Sequence, residues 1–392
     1  MGRGEIGALL EEMQADDARA LSQVRFARRF DAGPAVAAVA AHAYGLFAHA
    51  GRVSPYPGFP APPGMAAIQA DLEAWALGLM HAPEGAAAVL TSGGTESVIL
   101  AARAAALAAE RGLPPGGPGE ILAAHSAHPC IDKAAELLGL RLIRLPGGAD
   151  FRADPARMES AIGPRTIMLY GSFPSYAYGL DDDIGALGAM ARRHGLWLHV
   201  DACMSGFLAP FMRMNGEPIA PFDFEVPGVS SISADWHKHG YAGKGASTLL
   251  LRAGLPEPFL YRDHPLPPMA TATLAGTAAG APFASAWAVA RHLGVEGYRA
   301  LARQMSDTRA AFIAAVEGSG DFRILDTPRF SVIVVLSDRY DMAAIHMRMA
   351  ARGWFTLSSH APAGLHLNLS ALDGALAEDF LADLRAAAAE LQ

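Results

Sequence analysis

The chain has 392 residues, 52% hydrophobic and 18% charged, which excludes a disordered chain and exceeds what one hydrophobic core usually organises. A formal net charge of -8 leaves no basic field for nucleic acid or anionic lipid, so an anionic ligand must be held by a local site. Cys130 and Cys203 give no disulfide framework, the acidic amphipathic start lacks a signal-peptide pattern, and no stretch reaches a membrane span; a cytoplasmic protein without membrane insertion is expected.

Residues 1 to about 50 place charged and apolar positions at helical spacing, and the alanine-rich part from Pro34 to Ala50 reads as a buried or subunit-packing helix. RVSPYPGFPAPPG (52–64) is proline-rich and extended, the kind of segment that crosses a surface. A helix from Met65 to Met80 follows, with Ile68, Leu72, Trp75 and Leu79 on one face. Short β-rich runs then alternate with alanine-rich helices. Strands are predicted at 86–94, 119–128, 140–145, 166–172, 196–202, 230–235 and 246–252, with helices at 95–112, 131–138 and 184–194. That alternation belongs to an α/β domain with a mainly parallel sheet. After a proline-rich loop (254–282), a long helix starts near Ala284 and runs toward Arg303. The strands FRILD, RFSVIVVLS and GLHLNLS, with helices at 341–352 and 374–390, make a small α+β domain. The expected division is an N-terminal arm at 1–64, a large domain at 65–282 and a small domain at 283–392.

Three of the 31 basic residues are lysines: Lys133, Lys238 and Lys244. Guanidinium stays charged, whereas a buried ammonium can lose its proton and become a nucleophile, so each lysine is a chemical candidate; chance retention is the bland alternative. TSGGTES (91–97) closes a strand and opens a helix, and its glycines aim the first helical N–H groups at an anion such as phosphate. An ordinary capped turn gives the same string, and the missing GKT ending disfavours ATP. HVDACMSG (199–206) puts Asp201 at a strand end, where a carboxylate can keep a pyridine nitrogen protonated or can cap the next turn. In SISADWHKHGYAGKG (231–245), Asp235, His237, Lys238 and His239 follow a strand; a cationic neighbour would favour a neutral, nucleophilic lysine. Metal ligation by His237 and His239 is the competing reading there. AHSAHPCIDKAA (124–135) places His128 at another strand end, as a stacking or a structural imidazole. In succession, these motifs offer an anion-cradling turn, a stacking ring, a carboxylate and a lysine, the contacts pyridoxal phosphate needs.

The segments TSGGTES, AHPCIDKAA, LHVDACMSGFLAPF, PFDFEVPGVSSISADWHKHGYAGKGAS and RFSVIVVLS resemble those of sphingosine-1-phosphate lyases, which belong to the group II pyridoxal-phosphate-dependent decarboxylases. The resemblance covers about residues 40–372. It implies an aspartate-aminotransferase-like fold (fold type I), with a mainly parallel seven-stranded sheet in the large domain and a small α+β domain. It further implies a Schiff base on Lys238, Asp201 at the pyridine nitrogen and His128 stacked on the ring. Gly94, Thr95 and His237 would hold the phosphate, with Ser172 as a further cofactor contact. Thr277, in LAGTAAG, would reach the phosphate from a neighbouring subunit of a homodimer, and Lys244 would be a second active-site lysine.

The chain departs from the lyases at substrate-facing segments: RVSPYPGFP lacks their asparagine and histidine, Ala278 stands for an arginine, and Trp236 stands for a small polar residue. SYAYG (175–179) leaves Tyr176 and Tyr178 as acid/base or substrate contacts. The implied reaction is carbon–carbon cleavage of a β-hydroxy amine to an aldehyde and a smaller amine. Decarboxylation of an amino acid is the alternative. A fold relative that binds a ligand without catalysis, or one that binds a nucleotide, is the other class weighed.

Overall fold

The computed structural model describes residues 2–26, 30–51, 62–110, 112–255, 257–261, 265 and 269–391. The departing segment RVSPYPGFP lies outside them. The chain divides into two units, Ala32–Arg303 and Met1–Asp31 with Gln304–Gln392. The helical arm expected up to residue 50 forms two helices, α1 (Arg3–Ser22) and α2 (Pro34–Leu46). The break falls where Gly33 adopts φ +96 and Pro34, with no N–H to donate, opens the second helix.

In the larger unit, α3 (Pro63–Leu79) buries Met65, Ile68, Leu72, Ala76 and Leu79, while Trp75 of the predicted stripe is half-buried. Seven strands follow: β1 (Ala87–Thr91), β2 (Glu120–Ala124), β3 (Arg141–Leu145), β4 (Thr166–Ser172), β5 (Trp197–Asp201), β6 (Val229–Ala234) and β7 (Ser247–Leu251). Between them run α4 (Gly94–Ala109), α5 (Cys130–Leu138), α6 (Pro155–Ser160), α7 (Ile184–His194) and α8 (Ala209–Met214). The sheet order is β1-β7-β6-β5-β4-β2-β3. Strands β2 to β6 pair in parallel, while β7 is antiparallel to both β6 and β1. This is the mainly parallel seven-stranded sheet the sequence predicts.

Strands β2, β4 and β7 are buried along their whole length, as expected where both sheet faces are covered. On one face, Val98, Ile99, Ala102 and Ala105 of α4 join Ile131 and Ala134 of α5 against Ile121, Ala123, Met168 and Tyr170. Gly188 of α7 meets Gly228, just before β6, backbone to backbone, so a Cβ at 228 would collide with the Gly188 carbonyl. A short hairpin, β8 (Phe259–Tyr261) with β9 (Met269–Thr271), occupies the stretch read as loop.

Helix α9 (Ala281–Glu317) breaks at Gly294, where φ is +57, and the division between the units falls inside it, after Arg303, rather than before it. The smaller unit holds β10 (Arg323–Ile324), β11 (Val332–Leu336), α10 (Met342–Ala351), β12 (Leu357–His360), β13 (Ala363–Asn368) and α11 (Ala377–Ala389). Its antiparallel sheet runs β10-β11-β13-β12, and Phe26, Phe312, Trp354 and Phe380 cluster with ring centroids 5.0 to 6.1 Å apart. The α+β character matches expectation. Strand β12 was not anticipated, because LSSH is half-polar and short.

Candidate active site

Because β7 opposes both neighbours, β1 points the same way as β2 to β6. The turns after Thr91, Ala124, Ser172, Asp201 and Ala234 therefore share one sheet edge, where ligands of open α/β sheets bind. Four of the sequence motifs open there.

After β1, Gly93 is the N-cap of α4 and gives the helix no side-chain cap. Glu96 folds back to accept from the N–H and hydroxyl of Ser92, both at 2.7 Å, through Oε2, and from Leu274 N–H at 2.8 Å through Oε1. A Cβ on Gly94 would lie 2.5 Å from Cys203 Sγ and 3.1 Å from the Asp235 carboxylate; only glycine lets this turn press on the Lys238 segment. A Cβ on Gly93 would lie 3.6 Å from His237 Cε1, so that imidazole stands over the turn. His237 Nδ1 accepts from Ala246 N–H at 3.1 Å. Burial, reinforced by the charges of Lys244 and Lys238, lowers its pKa against the pull of Asp235, leaving a neutral ring with its proton on Nε2.

After β6, Lys238 Nζ lies 3.0 Å from Asp235 Oδ2. The expectation that a cationic neighbour makes this lysine neutral is overturned. Burial alone would depress its pKa, but Asp235, the Cys203 sulfur and Asp201 raise it well above the ordinary value, so the free side chain is an ammonium. On the next strand, Asp201 is 9% exposed and accepts from Tyr170 Oη at 2.5 Å, Cys203 N–H at 3.0 Å and Ser233 Oγ at 3.2 Å. Burial would push this carboxyl up; the Lys238 charge and these hydrogen bonds hold it at about 2, fully ionised.

His128, half-buried after β2, accepts from Cys130 N–H at 3.2 Å through Nδ1 and is kept neutral chiefly by burial. Tyr176 stands edge-on to it, with centroids 6.1 Å apart. Ser172 is the register partner of Asp201 across β4 and β5, and its buried Oγ has no hydrogen-bond partner among the described residues; the same holds for Asp235 Oδ1. The loop carrying both tyrosines is pinned by Asp182, which accepts from Ala153 N–H and Ser172 N–H, each at 2.7 Å. Burial pushes the Asp182 carboxyl up to about 6 despite those bonds.

The structure thus gathers Gly94, His128, Ser172, Asp201, His237 and Lys238, with Tyr176 against His128 and Thr95 in the first turn of α4. Three candidates stand apart. Tyr178 packs edge-on to Phe151 and lines a cavity of about 340 Å³ with His125, Ser126 and Arg144. Exposed Lys244 donates to the His237 carbonyl at 3.1 Å. Thr277 is exposed, 3.4 Å from where a Cβ on Gly51 would be. Trp236, read as a pocket residue, is instead fully buried, stacked on Phe207 at 3.8 Å and donating to Thr248 Oγ1 at 2.6 Å. The peptide turns at the strand end, so residues 236 and 238, which would share a face in a continuing strand, point to opposite sides.

His237 and His239 do not make a metal pair: the first lies over Gly93, the second packs edge-on to Tyr241 in the interior. Among the described residues, the side chains grouped at metal-ligand spacing are His81, Asp223 and Glu225, and Arg213 already pairs with both carboxylates. Sequence reasoning passed over Tyr170, His199, Ser233 and, as an ion-pair partner, Asp235. The alternation His199–Asp201 and Ser231–Ser233 on adjacent strands was the available clue.

These groups suit a flat, phosphate-bearing pyridine ring. An uncapped helix start beside a neutral imidazole would suit the phosphate, an ionised strand-end carboxylate would suit the ring nitrogen, and the Ser172 hydroxyl, unpaired among the described residues, would suit a polar guest. Residues 59–336 match the model of the pyridoxal-dependent decarboxylase conserved domain. Sphingosine-1-phosphate lyase 1 of Mus musculus is 31% identical over 392 aligned positions, covering 98% of this chain and 68% of that protein. The sphingosine-1-phosphate lyase of Oryza sativa is 33% identical over 76% of this chain, which spans only 55% of that protein's length. The solved sphingosine-1-phosphate lyase of Burkholderia pseudomallei superimposes with a TM-score of 0.92 at 32% identity, over all of this chain and 91% of that one. The fold is type I, aspartate-aminotransferase-like, and the cofactor is pyridoxal phosphate. The chain belongs to the pyridoxal-dependent decarboxylase family, among its sphingosine-1-phosphate lyase-like members.

Proposed function

We propose that this chain is a pyridoxal-phosphate-dependent carbon–carbon lyase that cleaves a β-hydroxy amine into an aldehyde and a smaller amine. The observation carrying it is the Lys238 ammonium and the ionised Asp201 at neighbouring strand ends, facing the glycine turn of α4. When bound, the cofactor supplies an electron sink for a bond broken at the amine's α-carbon.

The chain's own residues do the rest. Backbone N–H groups of Gly94 and Thr95, with His237 Nε2–H, would hold the phosphate, and the neutral His128 ring and Ser172 Oγ would contact the cofactor ring. Asp201, ionised, would keep a proton on the ring nitrogen. Lys238 would be the covalent anchor; Asp235 Oδ2, 3.0 Å from Nζ, holds the free side chain as an ammonium, which must lose a proton before its nitrogen can bond. Tyr176, edge-on to His128, is the group we assign to take the proton of a substrate β-hydroxyl. Burial raises the pKa of Tyr178, which leaves less of its phenolate at neutral pH.

The assay supplies β-hydroxy amines, with and without a phosphate, to the holoenzyme and traps carbonyl products. Aldehyde formation in step with amine release is the expected result. Carbon dioxide release from an amino acid without aldehyde would instead establish the decarboxylase reading, which the family's name favours.

The site is completed, in this reading, by Thr277 of a second copy in a homodimer: the residue is exposed here, on a loop tied through Leu274 N–H to Glu96. Light scattering during turnover tests this, since a fully active monomer contradicts a shared site. The proposed location is the cytoplasm; both cysteines are free and buried, and among the described residues no helix is long and apolar enough to cross a membrane.

A further inference from the structure

Behind Asp201 lies a line of polar side chains, buried except for half-buried Trp197 at its far end, that packing alone does not require. Trp197 Nε1–H donates to Ser231 Oγ at 2.8 Å. Ser231 Oγ lies 2.8 Å from His199 Nδ1, and His199 Nε2 lies 3.3 Å from Ser233 Oγ. Ser233 Oγ is in turn 3.2 Å from Asp201 Oδ1, and the Cys203 thiol donates to it at 3.2 Å. On the other carboxylate oxygen, Tyr170 Oη donates at 2.5 Å, and the same phenol lies 3.7 Å from Cys130 Sγ, in the turn that carries His128. Ser231, Ser233, His199 and Tyr170 are each fully buried.

The direction of every proton in this line follows from its ends. Asp201 is ionised and can only accept, so the single proton of Ser233 goes to it. Ser233 then has only lone pairs to offer His199, which must donate from Nε2. Burial pushes His199 down to about 4, so its ring is neutral and Nδ1 is bare. Nδ1 accepts from Ser231, whose own lone pair is filled by Trp197, a residue that can only donate. Read from either end, the line gives one tautomer and one polarity.

We propose that Trp197, Ser231, His199 and Ser233 form a directed donor relay which, with Tyr170, orients Asp201 as an ionised acceptor, and that Tyr170 and His199 are positioning residues for the cofactor ring. Tyr170 serves twice, because it braces the carboxylate and, through Cys130, the turn bearing the stacking His128. The inference rests on the reading that Asp201 faces the ring nitrogen. Other titratable groups surround that carboxylate: Lys238 and Asp235 after β6, Cys203 after β5, and His128 and Cys130 at the start of α5. None of them changes in the variants below.

The test titrates purified apoprotein with pyridoxal phosphate and follows the visible absorbance of the bound cofactor against pH. Tyr170→Phe removes only the hydroxyl; His199→Leu breaks the relay; His199→Gln restores an N–H near the Nε2 position. Tyr170→Phe and His199→Leu are expected to weaken cofactor binding roughly tenfold each and to shift the pH midpoint of the absorbance change. His199→Gln is expected to recover most of both. Wild-type uptake, with all three variants matching it in affinity and pH midpoint, overturns the relay alone. Wild type that takes up no cofactor overturns the functional reading and the relay with it. Equal losses in His199→Leu and His199→Gln overturn the assigned tautomer, since a merely space-filling role would show no rescue.

Discussion

Lys238→Ala is expected to end covalent attachment of pyridoxal phosphate and to lower turnover by roughly three orders of magnitude or more. The sequence offers no ready substitute. Lys133 is exposed on α5, and Lys244 is turned to the His237 carbonyl rather than toward Asp235. The variant also strips Asp235 and Asp201 of the cation that stabilises both carboxylates, so two buried charges lose their partner at once. Borohydride reduction followed by peptide mass mapping reads the outcome. The cofactor mass should sit on the peptide holding Lys238 in the wild type and vanish in the variant. Its appearance on the Lys244 side of that peptide, or wild-type turnover by Lys238→Ala, would reject the assignment.

Asp201→Asn separates attachment from chemistry. Lys238 remains, so covalent uptake should persist, while turnover falls by about two to four orders of magnitude because the ring nitrogen loses its anion. The amide also presents a donor where Tyr170 or Ser233 already donates, leaving one buried donor unmatched. A pH signature accompanies the substitution. The folded-state pKa of Asp201, about 2, lies below the ordinary carboxyl value, so the group stabilises the fold above pH 4 and loses that contribution as pH falls through about 2. The contribution is on the order of 2 kcal/mol. Acid titration of the two apoproteins followed by circular dichroism should show their stability difference shrinking over that window. Unaltered turnover in Asp201→Asn would remove Asp201 from the reaction.

Much of the site was legible because strand ends are. An apolar run that stops at Asp201, Ser172 or Ala234 announces both a buried strand and the sheet edge, and glycines 93 and 94 announce a turn into a helix. The partners were harder. Tyr170 sits inside TIMLYGS and looks like any core aromatic; only the register of β4 on β5 sets its hydroxyl against Asp201. Asp235 looks like a strand terminator until the turn folds Lys238 back onto it, reversing the expected sign of the lysine's shift. Trp236 seemed to belong with its neighbours, yet the turn sends it into the core against Phe207. The boundary inside α9 was hidden because Gly294 interrupts the backbone without interrupting the helical pattern of the sequence.

The antiparallel β7 has a consequence for how the protein assembles. It pairs Ala87 with Leu251 and Ser231 with Leu251 on its two sides, so β1 can join the sheet only after most of the larger unit has been synthesised and β7 has docked on β6. The phosphate cradle travels with β1, and the anchoring lysine with β6. Such pairings across a long stretch of chain form slowly, which makes the cradle a late arrival in folding. Pyridoxal phosphate, gripping both ends, would act as a clasp on the least local joint of the sheet, and protection of β1 amides from hydrogen exchange should rise with cofactor occupancy more than protection of β4 amides.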